Sequence, residues 1–113
     1  MAIPHPVPDG LAVLIAERFR VLGEPMRIRA LDHLRDGAMS VGALAAALGT
    51  SQQNVSKHMS LLHRGGIVSR ERVGNEVHYA IADQGVFDLC EHVCGGMQAH
   101  LRELSELIGQ EVA

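Results

Sequence analysis

The sequence has no Trp, one Tyr and two Phe, so its core must be built from Leu, Val, Ile, Ala and Met rather than around large rings. Its two cysteines are too few for a disulfide framework. No apolar run approaches the roughly 18 residues that carry a helix across a bilayer. Residues 1–8 lack a basic start leading into an apolar stretch, so no secretory signal is expected. These absences exclude a membrane span and a secreted miniprotein, and they predict a chain of the reducing cytoplasm. Three further things are missing: a nucleophile with its base and orienting group, a phosphate-cradling glycine loop, and a closed set of metal ligands. No enzymatic reaction is therefore expected.

What is present is a globular balance, 47% hydrophobic and 20% charged, in a length of 113 residues that suits one domain. A chain of this size buries only about two-thirds of its unfolded surface, so pairing with a second copy would add stability. The net charge of −3 hides an uneven distribution. Residues 1–50 are balanced, and residues 51–82 carry an excess of positive charge through Lys57, Arg64, Arg70 and Arg72. Residues 83–113 set Arg102 alone against Asp83, Asp88, Glu91, Glu103, Glu106 and Glu111. Bulk charge therefore does not favour nucleic acid, yet a local positive surface remains available.

Three of the four prolines lie in residues 4–8, which predicts a flexible, extended arm over residues 1–10. Asp9 is placed to cap a first helix whose Leu11, Leu14, Ile15, Phe19 and Leu22 make one apolar stripe. Pro25, suited to a first helical turn, opens a second helix with Ile28, Leu31 and Leu34 inward. Ser40 caps a short third helix, Val41–Leu48, which Gly49 ends. Thr50 with Gln53 reads as a capping box for a fourth helix over residues 51–64. Beyond Gly65-Gly66 the period shortens to two. Val77, Tyr79 and Ile81 alternate with Glu76, His78 and Ala80, and a Gly74-Asn75 turn joins them to the preceding run, giving a two-stranded hairpin over residues 67–81. A long last helix is expected from about Asp83 to Ile108, with a tail over residues 109–113. The principal domain is expected over residues 11–108.

Leu48-Gly49-Thr50-Ser51 joins the third and fourth helices as a helix-turn-helix does, letting the second helix cross the first and project its N-terminal face. Val55, Met59 and Leu62 recur at helical spacing and should face the core. Gln52, Gln53, Ser56, Lys57 and Ser60 then fall on the wet face. Such side chains suit a DNA major groove: amides pair with adenine, and Lys57 reaches phosphate or guanine. Arg70 and Arg72 on the hairpin, with Asn75 at its tip, suit backbone phosphate or an adjacent minor groove. The same residues are also what an ordinary solvated surface contains.

Three stretches together resemble the ArsR family of winged-helix repressors, dimeric bacterial regulators that respond to metals and stress. Residues 22–31 (LGEPMRIRAL) resemble the opening of the family's second helix, and residues 48–59 (LGTSQQNVSKHM) its turn and recognition helix. Residues 62–68 (LHRGGIV), followed by Arg70, Arg72, Gly74 and Tyr79, resemble its wing. The resemblance implies a mainly α protein with a small β-hairpin wing, an α+β winged helix-turn-helix. It further implies a homodimer formed through the first and last helices that binds double-stranded, inverted-repeat operator DNA. Gln52, Gln53, Ser56, Lys57 and His58 match the recognition helix, and Arg70, Arg72 and Asn75 the wing. His58 neighbours the core-facing Met59 and has a second reading, as a hydrogen-bonding prop.

The family's effector sites are where the chain departs from the pattern. Ser40 and Gly42 stand where the arsenic and cadmium sensors carry Cys-x-Cys. His100 and Glu103 fit the later half of the zinc sensors' site, but Phe87 and Leu89 occupy the positions of its Asp and first His. They remain weak metal candidates and read more simply as solvated helix residues. Cys90 and Cys94, four apart on a helix, share a face with Cβ atoms roughly 6 Å apart. They are candidates for a thiol sensor of a thiophilic metalloid, of oxidation or of persulfidation. Neighbouring Asp88 and Glu91 should favour the protonated thiols. The competing reading is packing, because Cys90, Val93, Met97, Leu101, Leu104 and Ile108 form one helical stripe. No cofactor is required for the expected role. Two alternatives stay open: a winged-helix protein-interaction module without DNA binding, and a regulator of this kind without cysteine sensing.

Overall fold

The computed structural model describes residues 3–109. Residues 1–2 of the expected arm and residues 110–113 of the expected tail lie outside the described residues. The chain divides into two compact units, one running to Ala82 and one starting at Asp83.

The first unit opens with α1 (Asp9–Leu22). Its N-cap is Pro8, which offers no capping side chain. Asp9, expected as the cap, is instead the first helical residue, where its carboxylate complements the positive end of the helix dipole. The second helix, α2 (Pro25–His33), carries Pro25 in its first turn, and its N-cap Glu24 accepts a hydrogen bond from the Arg27 backbone N–H at 3.0 Å. A 3-10 turn over Leu34–Asp36 follows it. Ser40 caps α3 (Val41–Leu48) by accepting from the Ala43 N–H at 3.0 Å, and Gly49 ends it in the left-handed conformation at φ 67°.

The cap of α4 (Gln52–Arg64) is Ser51, whose Oγ accepts from the Asn54 N–H at 3.1 Å. The expected capping box at Thr50 does not form. Thr50 still belongs to the end of α3: its N–H donates to the Ala45 carbonyl at 3.0 Å, and its hydroxyl accepts from Asn54 Nδ2 at 3.1 Å.

Three strands make one antiparallel sheet in the order β1-β3-β2: β1 (Met39–Ser40), β2 (Val68–Val73) and β3 (Glu76–Ile81). The predicted hairpin is present, closed by Gly74-Asn75 with Gly74 at φ 64°, the sign a two-residue hairpin turn needs. It is not two-stranded, because β1 pairs with the free side of β3, Met39 opposite Tyr79 and Ser40 opposite His78. Two residues are too few to show a period in sequence, so this strand gave no signal.

Leu44, Val55, Met59, Leu62, Ile67, Val68 and Tyr79 are almost wholly buried and form the centre of this unit. Ala30, Leu31 and Leu34 are inward from α2 and its 3-10 turn, whereas Ile28, expected inward, is 48% exposed. The apolar stripe of α1 is buried only at Leu22, and Leu14 and Phe19 are 62% and 55% exposed. In the second unit, α5 (Gln84–Ile108) is capped by Asp83, whose carboxylate accepts from the Val86 N–H at 3.2 Å. Its stripe residues Val93, Met97, Leu101 and Ile108 are each more than half exposed. Among the described residues, no helix is long and apolar enough to cross a membrane.

Met59 has no exposed surface, so Met59→Ala should cost about 2–5 kcal/mol of unfolding free energy in urea melts. Val73→Ala, at a half-exposed strand end, should stay within about 0.5 kcal/mol of the parent.

Candidate nucleic-acid interface

The rotation of α4 about its axis is set by Val55, Met59 and Leu62, all at or near zero exposure. That leaves Gln52, Gln53 and Lys57 in solvent, as the sequence pattern predicts, with Ser56 and Ser60 half-buried beside them. Gly49 lets α3 stop sharply enough for the α4 N-terminus to emerge, and Gln52 lies beside Gly42 at the start of α3.

His58 is placed differently from the other recognition-helix candidates. Its side chain is only 15% exposed and lies on the flank of α4. Arg27 Nη1 donates to its Nδ1 at 3.0 Å, and a Glu24 carboxylate oxygen lies 3.7 Å from the same nitrogen. Of its two readings, the hydrogen-bonding prop is the one with a partner in hand. Neither Arg27 nor Glu24 was singled out from the sequence. They occupy polar positions at the start of a helix, and the available signal was their place in the LGEPMRIRAL stretch around Pro25.

In the wing, Arg70 and Arg72 are exposed on β2 opposite Tyr79 and Val77, so both leave the sheet on one face. Glu71 stands opposite His78 on the other face, where His78 Nε2 meets a Glu76 carboxylate oxygen at 3.2 Å. The pleat thus separates the wing's arginines from its carboxylates. Asn75 is exposed at the tip.

On α5, Cys90 and Cys94 are free thiols, the first half-buried and the second exposed. Burial pushes the Cys90 thiol above its ordinary value. The direction agrees with the sequence expectation, but the cause is desolvation rather than the neighbouring Asp88 and Glu91. His100 and Glu103 are exposed, and among the described residues no group of three or more His, Cys, Asp or Glu side chains gathers to hold a metal ion.

A helix-turn-helix domain family matches residues 22–71, which span α2, α3, α4 and the start of the wing. The chain is 32% identical over 106 residues to the HTH-type transcriptional regulator KmtR of Mycobacterium tuberculosis, covering 88% of this chain and 82% of that protein. Among solved structures it is similar to the AntR antimony-specific transcriptional repressor, with a TM-score of 0.74 and 32% identity over 87% of this chain and 90% of that one. It is also similar to a homodimeric winged helix-turn-helix DNA-binding domain from Mycobacterium bovis, a possible ArsR-family regulator, with a TM-score of 0.72 and 30% identity over 88% of this chain and 95% of that one. Sequence, fold and relatives agree, and the chain belongs to the ArsR family of winged helix-turn-helix transcriptional regulators rather than to any class of enzyme.

Proposed function

We propose that the chain is a homodimeric transcriptional repressor that binds an inverted-repeat operator through α4 and the wing. One observation carries this reading: α4 has one face sealed by Val55, Met59 and Leu62 and sets Gln52, Gln53 and Lys57 in solvent on the other. A helix so held can enter a major groove, where glutamine amides pair with adenine and Lys57 meets guanine or phosphate. Ser56 supplies a short hydroxyl beside them. Arg70 and Arg72 suit phosphates flanking that groove, and Asn75 extends the wing tip. DNA binding in this scheme needs no cofactor.

The test is binding to DNA upstream of the chain's own gene as salt is raised. Affinity should fall steeply, because each neutralised phosphate releases counterions. Lys57→Ala, Arg70→Ala and Arg72→Ala should each flatten the logarithmic salt slope by about 1 if they meet phosphate. Gln52→Ala and Gln53→Ala should each cost about 1–3 kcal/mol on that DNA and little on unrelated duplex. A protein with no salt-sensitive binding to this or other promoters would instead be an interaction module, for which the acidic α5 is suited.

The dimer is proposed to form through α1 and α5, whose apolar stripes stand exposed at Leu14, Phe19, Met97 and Leu101. The similar Mycobacterium bovis domain is homodimeric. Leu101→Glu should sediment as a monomer and lose more than about tenfold in operator affinity, since two half-sites then bind independently.

Cys90 and Cys94 are proposed to take the signal that releases DNA, either a thiophilic centre or oxidation. Their i, i+4 placement on one helix supports this, as does the likeness to an antimony-specific repressor. His100 and Glu103 are left out of the site. Cys90→Ser and Cys94→Ser should retain DNA binding and abolish its loss on adding arsenite or polysulfide. Equal responses in parent and both variants would return the cysteines to a packing role. Raising the Cys90 value keeps that thiol protonated to higher pH, so iodoacetamide should modify Cys94 first at neutral pH, with the difference shrinking as pH rises through the range where Cys90 ionises.

A further inference from the structure

The Arg27 side chain makes contacts that neither the core nor the exposed face of α4 calls for. Its Nε donates to the Val21 carbonyl in the last turn of α1 at 2.6 Å, and its Nη1 donates to His58 Nδ1 in the middle of α4 at 3.0 Å. Its own backbone N–H donates to Glu24, the N-cap of α2. One half-buried guanidinium therefore ties together three helices. A second arginine works alongside it: Arg18 Nη1, on α1, donates to the carbonyl of Gly65, the residue that caps the C-terminal end of α4. The helix carrying Gln53 and Lys57 is thus fastened to α1 and the α1–α2 joint at its middle and at its end.

The Arg27 bond also specifies which nitrogen of its partner accepts. A guanidinium has donors and no acceptor, so in this bond His58 Nδ1 is the accepting nitrogen, which leaves Nε2 as the position for the ring proton. Protonating Nδ1 would set an N–H against the guanidinium, and the Glu24 carboxylate at 3.7 Å would be the partner left for it. Among the described residues, Arg27 and Glu24 are the charged groups facing this nitrogen.

We propose that Arg27 is a positioning residue for operator binding, which clamps α4 to the end of α1 through the neutral Nδ1 of His58. This rests on the reading of α4 as the recognition helix. Val55, Met59 and Leu62 fix which face of α4 is wet, but they are apolar contacts that tolerate small slides and rotations. The directional bonds at His58 and Gly65 remove that freedom, and contact side chains work only when their supports hold them to within about 0.5 Å. Because the clamp ends on α1, whatever reorients α1 also reorients the recognition helix.

The experiment compares full-length parent, Arg27→Met, His58→Leu, His58→Asn and the Arg27→Met/His58→Leu double variant. Two readouts are made on each: fluorescence anisotropy on duplex from upstream of the chain's own gene and on an unrelated duplex, and thermal melting. Arg27→Met and His58→Leu should each lose about tenfold on the upstream duplex, the scale of one charge-assisted hydrogen bond, with little change on unrelated DNA. The double variant should lose no more than either single, because both remove one interaction. In His58→Asn an amide oxygen replaces Nδ1 as acceptor, so binding should return to within about twofold of the parent.

Nitrogen-15 NMR of the parent should show His58 Nδ1 unprotonated and Nε2 bearing the proton, a signature that Arg27→Met erases. Three results would overturn the clamp even though the parent binds DNA: a parent ring protonated at Nδ1, additive losses in the double variant, or His58→Asn as weak as His58→Leu. Absence of salt-sensitive binding by the parent would instead overturn the DNA-binding reading and this inference with it.

Discussion

The burial of Val55, Met59 and Leu62 on one side of α4 is the constraint on which the rest of the molecule depends. Each such side chain is worth about 1.5–3 kcal/mol when fully buried. A solvated polar residue on the opposite face contributes a few tenths at most to the helix. The apolar triad therefore decides the rotation of α4, and the polar face is a consequence of it. Placing the triad requires α3 to stop at Gly49, and it requires Ile67, Val68 and Tyr79 to close the far side of the core. The wing arises from the same arrangement, since Val68 begins β2 inside the core before the strand runs out to Arg70 and Arg72.

Features that local chemistry determines were legible in the sequence. Pro25, Ser40, Gly49 and the Gly74-Asn75 turn each impose a backbone state on their immediate neighbours, and all four act where they were expected to. The start of α4 was misplaced by one residue because Thr50 has two suitors, and the end of α3 claims its N–H before α4 can. The strand β1 was illegible because it exists only through its pairing with β3. The exposure of Ile28, Leu14 and Phe19 was illegible for a related reason: an apolar stripe shows that a face seeks cover, not that its own chain supplies it.

The candidate site divides along the same line. The exposure of Gln52, Gln53 and Lys57 follows from helical period alone. The engagement of His58 does not, since its partner Arg27 is 31 residues away in the chain and only packing brings them together. The two thiols also become unequal only in the fold. The sequence presents Cys90 and Cys94 as an equivalent pair, yet Cys90 is partly desolvated and Cys94 is exposed. Cys94 is the more accessible of the two. A reagent that must bridge both has to draw the proton from a thiol whose surroundings resist charge.

The residues proposed to touch DNA all lie in the unit that ends at Ala82, and the cysteines proposed to take a signal lie in the unit that begins at Asp83. A modified cysteine is therefore not itself a lost DNA contact. It can weaken binding only by having a different affinity for two states of the protein, one of which presents α4 better than the other. Such a mechanism needs a recognition helix rigid enough that a change elsewhere is transmitted rather than absorbed. Apolar packing alone supplies the stability but little directional stiffness. The bonds from Arg18 on α1 to the Gly65 carbonyl and from Arg27 on α2 to His58 are directional, and they hold α4 at its end and at its middle, away from the capped N-terminus proposed to enter the groove.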